Sequence, residues 1–156
     1  MTDFDTALQV MDDLFSKDTI FALATAVDNK PSVRMLDVFY DNMAFYIVTY
    51  TISGKVQAIE TNAHVSLCRQ AYRFEGCARN IGHPLATENA AIRTKLIEVF
   101  EPWYFQHNNE NDAEMCYIKV DLHSGFFHKD GTGYNVDFEN RTVQTFPFAF
   151  DIAHPE

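Results

Sequence analysis

A chain of 156 residues with 47% hydrophobic side chains can bury roughly two-thirds of its unfolded surface as one domain, and it is too apolar to be disordered. Its 22 acidic against 12 basic residues give a net charge of -10, which excludes a nucleic-acid groove or an anionic membrane surface as the main partner. No apolar run approaches the ~20 residues of a membrane span, and Met1-Thr2-Asp3-Phe4-Asp5 lacks the basic-then-apolar order of a signal peptide, so a cytoplasmic protein is expected.

Apolar residues at Ala7, Val10, Met11, Leu14 and Phe15 predict an amphipathic helix over 6–15, with Asp3, Asp5 and Thr6 available to cap it. A β-rich run from Thr19 to Val27, a turn at Asp28-Asn29-Lys30-Pro31 and a second run from Ser32 to Tyr40 read as a hairpin. The turn Asp41-Asn42-Met43 leads to a third strand, Ala44 to Thr49. The next helix has an inner face of Val56 and Ile59 and ends at Asn62. Strands follow at Ala63 to Arg69 and Arg73 to Ile81, and Gly76 inside the latter signals a bulge or a close backbone approach. Thr87 is the expected cap of a helix that turns Ala91, Ile92, Leu96, Val99 and Phe100 inward and stops at Pro102. Trp103-Tyr104-Phe105 reads as core or dimer interface, and Gln106 to Glu114 as an exposed loop. Cys116, Ile118, Val120 and Leu122 alternate as a strand, with two further strands at Gly125 to Lys129 and Thr142 to Phe148. Short strands joined mostly by hairpin turns, with two or three helices, predict a mainly β (α+β) antiparallel barrel with helices outside, one domain over 1–156.

The seven residues Thr49-Tyr50-Thr51-Ile52-Ser53-Gly54-Lys55 form the strand-to-helix junction with the strongest chemical content. Ser53 at the N-cap turns hydroxyls and free backbone N–H groups toward the helix start, where the dipole favours an anion; Gly54 permits close approach and Lys55 adds a full charge. An ordinary N-cap with a solvated lysine is the alternative reading. Arg34 stands at the middle of the preceding strand, and if that strand pairs with Ala44 to Thr49, then Arg34, Thr49, Ser53 and Lys55 converge on one phosphate dianion.

This arrangement resembles the flavin-binding split barrels related to pyridoxamine phosphate oxidase, above all their general stress protein branch. The resemblance runs from about Thr19 to Val136. It is carried by Phe21-Ala22-Leu23-Ala24-Thr25, the turn before Lys30-Pro31, Arg34-Met35-Leu36, Thr49-x-x-x-Ser53-Gly54-Lys55, Asn62-Ala63-His64-Val65-Ser66-Leu67 and Glu75-Gly76-Cys77-Ala78. It implies a split β-barrel that forms a homodimer with two FMN sites at the subunit interface. Arg34, Ser53 and Lys55 are then expected to hold the phosphate with help from Thr49, in the loop that also contains Tyr50, Thr51 and Gly54. The flavin ring is expected along Arg34, Met35, Leu36 and Asp37. The chain departs from the oxidase at Gly54, where the oxidase carries arginine, and at Phe39, where it carries lysine. Phe126, Phe127 and His128 stand where the stress branch tends to place a tryptophan.

The expected function is an FMN-dependent oxidoreductase acting on a small molecule, with no side chain assigned as catalytic. The alternatives are a non-catalytic flavin or haem carrier in stress protection, and a deazaflavin-dependent oxidoreductase. Metal binding is not expected, because no pair among His64, His83, His107, His123, His128 and His154 has the i, i+4 helical spacing with a carboxylate that zinc chemistry needs. Cys68, Cys77 and Cys116 are odd in number without a C-x-x-C, so each is expected as a reduced thiol in the core.

Overall fold

The computed structural model describes residues 1–149; His154 lies outside them. Its elements are α1 (Asp3–Phe15), β1 (Thr19–Val27), β2 (Lys30–Asp41), β3 (Ala44–Tyr50), α2 (Gly54–Thr61), β4 (His64–Arg69), β5 (Tyr72–Gly82), a 3-10 turn (Thr87–Asn89), α3 (Ala90–Val99), α4 (Trp103–His107), β6 (Met115–Lys129), β7 (Thr132–Asp137) and β8 (Thr142–Pro147). The sheet order is β3-β2-β1-β4-β5-β6-β7-β8, and β3 also pairs with β6. That last pairing closes six antiparallel strands into a barrel and leaves β7 and β8 as an extension.

Local chemistry accounts for most boundaries. Helix α1 begins earlier than its apolar spacing suggests because Thr2 caps it: the Thr2 hydroxyl accepts from the Asp5 amide at 3.1 Å, and the Asp5 carboxylate accepts from the Thr2 amide at 3.0 Å. Two turns are tighter than expected. Asp28 and Asn29 take φ of 51° and 62°, and Asn42 and Met43 take 46° and 62°, the left-handed pairs of two-residue hairpin loops, so Lys30 and Pro31 already belong to β2. Gly76 marks a register shift against β6; a Cβ there would sit 2.5 Å from the Asp121 carbonyl oxygen, so only glycine allows this approach.

Other expectations are corrected. The segments 116–122 and 125–129 are one long strand, β6, and β7 was not expected although Asp130-Gly131 signals a hairpin, with φ of 51° and 83°. Thr87 caps nothing: it opens a 3-10 turn, and Asn89 before α3 spends its side-chain amide on the carbonyls of Ile81 and His83, each at 3.0 Å. Ala91 faces solvent. Of the cysteines only Cys116 is buried, while Cys77 is half-buried and Cys68 exposed on the outer sheet face.

Inside the barrel, Phe15, Phe21, Phe45 and Phe74 are fully buried, and every pair among them has ring centroids 5.2 to 6.0 Å apart. Tilted and edge-on contacts at that range add to the burial of each ring. Val56 and Ile59 carry α2 into the same core. A second apolar cluster lies outside, where Leu96, Phe100 and Tyr104 of the α3–α4 region cover Phe39, Ala44, Tyr46, Met115 and Tyr117.

One feature of the pairing sets up the functional site. Strand β2 pairs with β1 from Lys30 to Val38, but with β3 only from Phe39 to Asp41. Strand β3 stays with β6 from Ala44 to Tyr50. The two strands therefore diverge beyond Phe39 and Tyr46, and among the described residues nothing pairs with the facing edges of Lys30–Val38 and Ile47–Tyr50.

Candidate functional site

The divergence of β2 and β3 ends at the start of α2. Ser53 is the N-cap in extended conformation (φ -70°, ψ 149°), and its hydroxyl accepts from the Val56 amide at 3.4 Å. The first-turn amides of Gly54 and Lys55 have no partner within the helix and point out of its end. Thr49, buried on the inner face of β3, sits with its hydroxyl 3.3 Å from that of Ser53 and accepts from Lys55 Nζ at 3.0 Å. Across the opening, Arg34 Nη1 donates to Leu23 O at 3.3 Å and to Thr25 Oγ1 at 2.9 Å.

Charge decides what this cluster suits. Burial, and then the positive charge of Arg34, push the Lys55 ammonium below its usual range, so two cations face each other closely enough to repel. Among the described residues neither forms an ion pair. The opposite arrangement occurs in the same molecule: Arg93 grips Glu110 through two bonds of 2.8 and 2.6 Å, and that guanidinium holds the Glu110 carboxyl below its usual range. Two unneutralised cations, two hydroxyls and a helix N-terminus make an anion cradle, and the space above Gly54 is open, with nothing within 4 Å of a Cβ built there. A phosphate monoester fits this donor set.

Strand β2 provides the wall beside the cradle. Arg34 and Leu36 face inward. Val33 and Met35, 69% and 65% exposed, face outward. Asp37 is half-buried and its carboxyl is pushed up to about 6, first by burial and then by the hydrogen bond to Asp18 and its charge. Tyr50 and Thr51 turn the other way. The Tyr50 hydroxyl accepts from the Asn109 amide at 3.0 Å, and Thr51 bonds Glu114 through both its amide and its hydroxyl, so these two tie the end of β3 to the loop at 108–114.

Thr25 is the residue that sequence reasoning overlooked. The hairpin register sets Leu23 opposite Arg34 and Thr25 opposite Ser32, which makes Thr25 a diagonal neighbour of Arg34 on the inner face. Once the turn is fixed at Asp28-Asn29, that contact is readable. A hollow of about 560 Å3 lies elsewhere, over β5 to β8, lined by side chains of mixed charge such as the exposed Arg73 and Glu75 and the half-buried Asp137. It lacks the converging like charges that single out the cradle. Among the described residues no cluster of three or more His, Cys, Asp or Glu could hold a metal, and no helix is long and apolar enough to cross a membrane.

No family model matches the chain, and no curated protein matches it. Among solved structures, a protein from Clostridium acetobutylicum related to general stress protein 26 of Bacillus subtilis, of the pyridoxine phosphate oxidase family, aligns over 89% of this chain and 96% of its own with a TM-score of 0.58 and 10% identity. The chain has the split-barrel fold of the pyridoxamine phosphate oxidase-like and general stress proteins. Two more split barrels widen the range of cargo. A FAD-binding protein from Mesorhizobium loti aligns over 76% of this chain and 91% of its own, at TM-score 0.57 and 17% identity. The haem storage protein HutZ from Vibrio cholerae aligns over 78% and 91%, at TM-score 0.58 and 11% identity.

Proposed function

We propose that this split barrel binds FMN as a homodimer in the cytoplasm and acts as an oxidoreductase on a small molecule. The observation that carries the reading is the unneutralised pair Arg34 and Lys55, set with Thr49 and Ser53 at the N-terminus of α2 beside an open strand edge. Bound FMN supplies the redox chemistry through its ring. The chain holds and orients it: Arg34 and Lys55 neutralise the phosphate, Ser53, Thr49 and the first-turn amides of α2 bond its oxygens, and the free backbone groups of Arg34 to Asp37 offer donors and acceptors to a polar ring edge. The flavin-binding split barrel in the same structural neighbourhood supports the cofactor class.

Assembly is supported by the outer face of the sheet next to the site. Cross-strand register sets Met35 opposite Ala22 and Val33 opposite Ala24, with the exposed Ile20 along the same face of β1. This apolar surface suits a second copy of the chain and not solvent.

The decisive experiment is reconstitution. Purified protein mixed with FMN should give a bound-flavin spectrum, and the bound flavin should be reduced by a nicotinamide or chemical donor and reoxidised over many turnovers faster than free FMN, with an apo-flavoprotein trap present. A haem spectrum, or turnover that disappears into the trap, favours the carrier reading that the likeness to a haem storage protein supports.

A further inference from the structure

The segment 108–114 runs from α4 to β6 past the end of β3, and Asn108-Asn109-Glu110-Asn111-Asp112-Ala113-Glu114 offers no large apolar side chain to anchor it. Its position is therefore set by hydrogen bonds. On one side it holds the end of β3: the Asn109 amide donates to Tyr50 Oη at 3.0 Å, and the Glu114 carbonyl accepts from the Thr51 amide at 2.8 Å. The Ser53 amide then donates back to the Tyr50 carbonyl at 3.0 Å, so the N-cap of α2 hangs from the stretch that the segment grips. On the other side Glu110 reaches inward. Its carboxylate accepts both prongs of Arg93 on α3 and the Tyr104 hydroxyl of α4, the latter at 2.9 Å. Because the Tyr104 proton goes to that carboxylate, Tyr117 donates to Tyr104, and both tyrosines are fully buried. Asn109 and Asp112 bond amides within the segment, and Glu114 meets the Thr51 hydroxyl. Glu110 is thus the one side chain of 108–114 bonded to α3 and α4. Only 12% of that side chain is exposed, so its desolvation is offset only while the fork of Arg93 and the Tyr104 hydroxyl stay in place, which makes this a rigid fixing point and not a loose surface pair.

We propose that Glu110 is a positioning residue for the phosphate cradle: locked by Arg93 and Tyr104, it holds 108–114 against Tyr50 and Thr51 and so fixes Thr49, Ser53 and the first turn of α2 in the spacing that a phosphate monoester needs. The proposal rests on the reading of the cradle as the FMN phosphate site. Neither Glu110 nor Arg93 is a cradle donor. They act through where they hold the donors, since a cradle that must be ordered at the moment of binding loses affinity by that ordering. The effect is confined to the phosphate end. The strand proposed to carry the ring, Arg34 to Asp37, is held by β1 and makes no bond to 108–114 among the described residues.

The test compares FMN with riboflavin, which shares the ring and lacks the phosphate, in titrations followed by flavin fluorescence. Glu110→Gln keeps the size of the side chain and removes the charge that Arg93 grips. It should weaken FMN binding about tenfold while changing riboflavin binding less than about twofold. Tyr50→Phe removes only the hydroxyl that accepts the Asn109 amide, should weaken FMN binding alone by about threefold, and keeps the test open should the first variant not fold. In a Lys55→Ala background, Glu110→Gln should weaken FMN binding by less than about threefold, because both act through the same phosphate contacts. Lys95→Ala breaks a separate ion pair of α3, with Asp41, and should leave the ratio of FMN to riboflavin affinity unchanged. A merely structural role predicts equal losses for the two ligands and additivity with Lys55→Ala, and either result overturns the proposal. Amide hydrogen exchange in the cofactor-free protein reads the brace without a ligand. Glu110→Gln should speed exchange at Thr51 and Ser53 by about tenfold or more and leave the amides of β1 as they are. Unchanged protection at Thr51 and Ser53 overturns the brace. If the native chain binds neither FMN nor riboflavin, the cofactor reading fails, while the exchange still decides whether Glu110 holds the cradle.

Discussion

The two halves of β2 differ in what holds them. From Phe39 to Asp41 the strand pairs with β3, which is itself held by β6, and Val38, Phe39 and Tyr40 are buried. From Lys30 to Asp37 it pairs with β1, leaves its edge toward β3 open, and carries an inward arginine, an outward methionine and a carboxyl with a raised proton affinity. The change comes where β3 leaves to follow β6. A single strand thus serves as closed barrel wall at one end and presents an unpaired edge at the other, and the length of its pairing with β3 decides where one gives way to the other.

The sharpest way to break this contrast is to damage each half in turn. Phe45→Ala removes a fully buried ring from β3 opposite Tyr40, where it backs the closed half, and should lower unfolding free energy by about 3–5 kcal/mol in urea denaturation. Val33→Thr in the open half should change it by less than about 0.5 kcal/mol. Near-equal losses would mean that the open half is as much part of the core as the closed one.

The next effect separates binding from stability. Lys55→Ala should weaken FMN binding by about 1.5–3 kcal/mol more than it weakens riboflavin binding, measured by fluorescence titration. The cofactor-free protein should melt no lower, because the lost ammonium is one that burial and Arg34 disfavour. Thr25→Val should cost FMN affinity about 1 kcal/mol by releasing Arg34, with little effect on the fold. The smallest effect is one of pH. Since the folded Asp37 binds its proton more tightly than an unfolded aspartate, its contribution to stability is full below about pH 4 and is lost as pH rises through about 6. Asp37→Asn should therefore raise the melting temperature relative to the native chain at pH 8 and lose that advantage in acid.

Much of this is legible in the sequence. Alternating apolar residues and turn-forming pairs give seven of the eight strands, β6 in two pieces, and the junction at Ser53-Gly54-Lys55 stands out by chemistry alone. What escaped depends on partners far apart in sequence. The continuity of β6 through Ser124 and Gly125 is imposed by β5 and β7 on either side, which override the weak strand preference of those residues. Tyr50 and Thr51 look like part of the cradle because they sit in its sequence, but a strand alternates its faces, and the 108–114 loop that claims their hydroxyls is more than fifty residues away. The Trp103–Asp18 hydrogen bond needs α4 packed beside the start of β1, which local composition does not reveal.

The unpaired edge of β2 has a second consequence, for the life of the chain before it meets a ligand. A strand with free amides and carbonyls on one side is a template for any other extended segment, and here it lies beside the exposed Val33 and Met35. Lys30 and Pro31 at its start discourage such pairing over the first residues only. On the proposed reading, the cofactor-free protein should aggregate more readily than the protein saturated with FMN, which light scattering of the two forms would check.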